Sequence, residues 1–87
     1  MVRFVIDGCA MTSREAAHDE LARALSLPEH YGRNLDALWD CVSVMEAEVV
    51  LENSAAMTQT LGTYGRKILS VFTDAAKQSP LLHFIQD

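Results

Sequence analysis

Residues 27–41 read LPEHYGRNLDALWDC, from Leu27 to Cys41. Pro28 and Gly32 bound a loop, and Asn34 is a good N-cap for a helix running to about Val44. A period of 3.6 puts Leu35, Leu38 and Val42 on one side of that helix, where a core wants them. Asp36, Trp39, Asp40 and Ser43 fall on the other side, at i, i+3, i+4 and i+7. Asp36 lies in the first turn, where the helix dipole tolerates a carboxylate, but Asp40 lies too far along to gain from it. Two like charges at i, i+4 cost an isolated helix about 0.2–0.5 kcal/mol. An indole beside them gains little if it faces water. Such a face makes better sense beneath something cationic and partly flat. The plainer reading folds the Trp39 ring onto the core rim and leaves both aspartates solvated. Periodicity alone does not choose between the two.

Before this segment, Val2 to Asp7 is apolar and β-rich and is broken by Asp7-Gly8, which predicts a short buried strand. Thr12 and Glu15 have capping-box spacing, and Ala16, Ala17, Leu21, Ala24 and Leu25 follow with helical period, so a helix is expected from about Ser13 to Ser26. After it, Glu48 to Glu52 holds Val49-Val50-Leu51, a continuous apolar run that suits a strand covered on both faces. Ser54 can cap a short helix through Leu61, ended by Gly62. Another helix is expected from about Gly65 to Gln78, with Ile68, Leu69, Phe72 and Ala76 inward and Ser79-Pro80 as its stop. Leu81 to Ile85 is the last strand. The order β-α-α-β-α-α-β argues for an α/β fold, a three-stranded parallel sheet with right-handed crossovers and about four helices packed on one side.

With 87 residues the chain is read as one domain, residues 1–87, holding one modest core. Nearly half the residues are hydrophobic and 22% are charged, which fits a globular chain and not a disordered one. Cys9 and Cys41 are too few for a disulfide scaffold and have no zinc spacing, so reduced thiols in a cytoplasm are expected. The start, MVRFVID, has no signal-peptide h-region, and no apolar run approaches the ~18 residues of a membrane span.

The net charge is −5, and its placement matters more than its size. Residues 28–52 carry Glu29, Asp36, Asp40, Glu46, Glu48 and Glu52 against Arg33 alone. With no basic patch to neutralise phosphates, direct nucleic-acid binding is disfavoured. A one-signed surface favours a basic protein partner, although an acidic surface kept for solubility meets the same observation.

Glu29 to Asn34 places the rings of His30 and Tyr31 immediately before the acidic helix. They suit stacking on a guanidinium-rich surface or, more plainly, a staple at the helix entry. Gly32 suits a positive φ or a close backbone approach. Catalysis finds little support. The histidines are His18, His30 and His83, and no Ser or Cys sits in a nucleophile elbow. Asp36 and Asp40 lack a water-excluding cleft as paired carboxylates, and Cys41 beside Asp40 is disfavoured as a thiolate. No metal-ligand spacing is present, so neither a metal nor a cofactor is expected. The four methionines, Met45 and Met57 among them, suit core or core-rim filling. Asp74 is expected on the last helix, within reach of the Asp40 face if the two helices adjoin.

At LPEHYGRNLDALWDC the sequence resembles the barstar family, intracellular inhibitors of secreted microbial ribonucleases of the barnase type. The resemblance extends more loosely over Val5-Ile6-Asp7-Gly8, Val50-Leu51-Glu52, and Val71-Phe72 with Asp74 and Lys77. It implies a three-stranded parallel sheet packed with helices. It also implies that the acidic helix and the loop before it plug a ribonuclease active site. The position of Asp40 would lie where an RNA phosphate binds, and Asp36 would pair with another cationic group. Tyr31, Gly32, Asn34, Leu35, Trp39 and Ser43 match positions that supply neighbouring contacts, and Asp74 matches an acidic position flanking the interface. His30 departs from the family's tyrosine and Met45 from its second tryptophan, and both changes reduce aromatic contact area. The implied partner is a basic ribonuclease, secreted or delivered as a toxin, with this chain as its inhibitor or immunity protein in a one-to-one complex. The rival expectation is a module that covers the cationic groove of a basic partner that is not a nuclease.

Overall fold

The computed structural model describes all 87 residues. The elements in chain order are β1 (Val2–Asp7), a 3-10 turn (Gly8–Ala10), α1 (Arg14–Leu25), α2 (Leu35–Val42), β2 (Ala47–Glu52), α3 (Ser54–Leu61), α4 (Thr63–Gln78) and β3 (Leu82–Gln86). The strands form one parallel sheet in the order β1-β2-β3. Two right-handed crossovers that step the same way across a sheet leave all their helices on one face. The α/β fold with four helices and a three-stranded parallel sheet is therefore the one expected.

Side-chain alternation then divides the sheet. Phe4, Val49 and Phe84 stand in one cross-strand row, and Ile6 and Leu51 pair in another, all facing the helices. They pack with Leu21, Leu38, Val42, Ile68 and Phe72 in one core of 15 buried residues, and Phe72 stacks on Phe84 at 5.0 Å between ring centroids. Val5, Val50 and Ile85 make the row on the opposite face. There the expectation of buried strands needs correcting. Val5 and Ile85 are 42% and 43% exposed, and β1 is an edge strand. Val50 is buried between these two neighbours and not beneath a second layer.

The helix ends hold further corrections. Ser13, not Thr12, caps α1, its Oγ accepting the Ala16 N–H at 3.0 Å. At α3 the cap position is Asn53, in a left-handed conformation at φ 57°. Ser54 instead donates its hydroxyl to the Asp87 carbonyl at 2.9 Å, tying α3 to the end of β3. α4 begins at Thr63, two residues before the expected start, behind Gly62 at φ 58°. Of the methionines, Met11 and Met57 are fully buried and Met45 is half-buried, but Met1 is 81% exposed. Both cysteines are free. No helix is long and apolar enough to cross a membrane.

Candidate functional site

α2 is set in place from both ends. Asn34 caps it as the sequence predicts: its Oδ1 accepts the Ala37 N–H at 2.7 Å, and its Nδ2 donates to the Gly32 carbonyl at 3.2 Å. At the far end the Ser43 N–H donates to the Trp39 carbonyl at 2.9 Å. Leu38 and Val42 are fully buried and Leu35 is half-buried, which fixes the rotation of the helix. Asp36 and Asp40 are thereby exposed one turn apart, with half-buried Trp39 between them. The Trp39 ring packs partly against the core and keeps the rest of its surface outward, so it meets both readings in part.

Neither aspartate has an ion pair within the protein. The three ion pairs are Arg3–Glu48, Arg23–Glu20 and Arg33–Asp19. Arg33, the one cation of the acidic segment, binds Asp19 together with the Glu15 carbonyl and makes no ion pair with Asp36. It also carries the positive φ of the loop, at 57°, the first of the two roles that Gly32 suited. Gly32 has no such angle; a Cβ there would sit 3.1 Å from the Ala37 Cβ.

The loop holds its two rings at different depths. His30 is exposed and shares a depression with Tyr31, Gly32, Ala37, Asp40 and Cys41. Tyr31 is only 7% exposed. Its hydroxyl lies 2.7 Å from Nδ1 of His18, and Nε2 of His18 lies 2.6 Å from the Tyr64 hydroxyl. The Tyr31 ring thus pins the loop from below and leaves only its edge at the surface. Burial pushes the Tyr31 phenol far above its ordinary pKa, and burial pushes the His18 imidazole below its own. Ser43 and Met45 are half-buried at the end of α2. Asp74 is exposed on α4, the helix that packs on α2. Tyr64 and Lys67 of α4 share a second, larger depression with Asn34, Leu35 and Asp36, so the two helices begin side by side. Asp74 stands two turns beyond Lys67 on that side of α4.

Sequence reasoning passed over His18, Tyr64 and Glu20. His18 carried a signal, since it falls at i, i+3 and i+7 with Leu21 and Leu25 on the buried side of α1. Glu20 carried none that periodicity detects. It is 7% exposed, accepts the Asp7 N–H at 2.8 Å and takes two bonds from Arg23. Those Arg23 bonds chiefly hold its carboxyl below the usual range. No group of three His, Cys, Asp or Glu side chains is arranged to hold a metal ion.

Comparison with known proteins gives the family of this chain. The family model described as Barstar (barnase inhibitor) matches residues 1–84. This chain belongs to the barstar family. It is also 37% identical over 81 residues to the Bacillus subtilis (strain 168) protein named "Putative ribonuclease inhibitor YrdF". That match covers 90% of this chain and 89% of the relative. Barstar-family membership makes a ribonuclease the expected class of protein partner and an inhibitor, not an enzyme, the expected kind of activity.

Proposed function

We propose that this barstar-family chain inhibits a basic microbial ribonuclease of the barnase type by laying α2 and the loop before it over the RNA-cutting groove. Asp40 is the central phosphate mimic and Asp36 a second one. Trp39 supplies flat contact area, with His30, Gly32, Asn34, Leu35, Ser43 and Met45 around it and Asp74 flanking from α4. Tyr31 acts from below, by holding the loop's shape through His18. The complex is one-to-one, forms in the cytoplasm, and protects the cell against a secreted or toxin ribonuclease. The chain binds and blocks; it does not catalyse.

One observation carries this reading. Asp36 and Asp40 stand exposed one turn apart with no cation of the protein on either, while the nearby Arg33 is spent on Asp19. A repulsive pair left unneutralised gains most from a partner that brings its own cations. The test is a titration of the purified chain into a barnase-type ribonuclease cleaving RNA. The expected result is loss of activity that reaches completion at one equivalent. Binding without loss of activity would point instead to a basic partner covered for some other purpose.

A further inference from the structure

The largest depression of the molecule adjoins the acidic face and brings cations up to it. Arg14 and Glu15 of α1, Arg33 of the loop, Asp36 of α2, and Tyr64 and Lys67 of α4 line it. The cations differ in what they are free to do. Arg33 is neutralised by Asp19. Arg14 and Lys67 have no ion pair.

Arg14 is nevertheless held. Its guanidinium carbon lies 4.2 Å from the centroid of the Tyr64 ring, a cation–π contact. The Tyr64 hydroxyl is fixed in turn by buried His18, 2.6 Å away. A stacked guanidinium keeps its in-plane N–H donors available, and that fork matches a carboxylate. Lys67 follows Tyr64 by three residues, on the same side of α4, and brings a second positive group to the same hollow.

Resting on the function proposed above, we propose that this depression receives an acidic side chain, Asp or Glu, of the ribonuclease docked on α2, held between Arg14 and Lys67. The occupant follows from the charges. Glu15 and Asp36 line the hollow as well, so a free phosphate carrying two charges is repelled about as much as it is attracted. A single carboxylate, on a protein whose own cations already cover Asp36, meets Arg14 and Lys67 against Glu15 alone. The same hollow therefore selects, among basic ribonucleases, those with an acid at the margin of the groove.

Lys67→Glu provides a test whose sign discriminates. It makes the inhibitor more acidic by two units, from the net charge of −5. General steering toward a basic enzyme would then quicken association and tighten the complex. A carboxylate docked at Lys67 predicts the reverse, a dissociation constant raised by roughly tenfold or more from a pair turned repulsive. Arg66→Glu is the matched control: the same charge change one residue away, on the side of α4 that faces Ser54 and Thr58. Both residues are exposed, and equal melting temperatures check the fold. With the ribonuclease of the titration above, Lys67→Glu should bind more weakly than wild type and Arg66→Glu as tightly or more so. Exchanging the docked acid of the enzyme for Lys should restore the Lys67→Glu complex. If wild type inhibits and Lys67→Glu binds as well or better, this inference is overturned and the proposed function stands. If wild type does not inhibit, both fall.

Discussion

The Tyr31 hydroxyl and His18 Nδ1 lie 2.7 Å apart, joining the loop that enters α2 to the buried side of α1. A neutral imidazole donates through one nitrogen and accepts through the other, which suits two hydroxyl partners. Burial lowers the His18 pKa from its ordinary 6.5; the charge of Arg33 adds to that, and Asp19 opposes it. The unfolded chain therefore takes up a proton at a higher pH than the native chain does.

The first expected outcome concerns pH. Stability tied to neutral His18 is fully present above pH ~6.5 and is lost as pH falls from there toward the native value. Urea midpoints measured between about pH 5 and pH 7.5 should fall on acidification, with a shallower slope in His18→Gln. Equal slopes in the two proteins would remove His18 from this role.

Glu20 ties α1 to the end of β1. Glu20→Ala leaves the Asp7 N–H without its acceptor and Arg23 without its partner. A stability loss of about 1–3 kcal/mol is expected in urea unfolding. Because the Glu20 carboxyl is held below its ordinary value, the wild-type contribution is present at neutral pH and is lost as pH falls through the native value. The variant should therefore lose less stability than wild type below about pH 4.5.

Trp39 belongs to the core rim and to the surface together. Trp39→Ala should lower the melting temperature and also weaken ribonuclease binding by about 2 kcal/mol or more, as buried aromatic anchors do. A variant that loses stability but keeps wild-type affinity would assign the ring to the core alone.

Long-range attraction supplies a kinetic expectation. The acidic excess sits in residues 28–52, so association with a basic enzyme should slow steeply with added salt, the Debye length being about 10 Å at 0.1 M. Stopped-flow rates that ignore salt would argue against steering.

Much of this structure is legible in the chain, for identifiable reasons. The Asn34 cap and the period of Leu35, Leu38 and Val42 locate α2 and orient it, because one helix face must be buried. The breaks at Gly8, Gly62 and Pro80 place the crossovers that make the sheet parallel. Tyr31 was not legible in the same way: a loop has no period, so nothing local tells an inward ring from the outward His30 one residue before it. Glu20 and the exposed flank of Val5 and Ile85 depend on what lies across the sheet. Gly8 shows the same limit. A Cβ there would fall 2.2 Å from the Asn53 carbonyl oxygen, a contact between residues 45 positions apart.

Asp40→Ala bears most directly on the acidic face as a phosphate mimic. The side chain is exposed and unpaired, so the variant should fold with nearly unchanged stability. Its affinity for the ribonuclease should fall by about 2–5 kcal/mol, because the enzyme's cations are left buried and unpaired. That range already includes barnase–barstar pairs, so it is the family's own scale and not an independent forecast. A folded Asp40→Ala protein that still titrates the enzyme with wild-type affinity would contradict the phosphate-mimic role of α2.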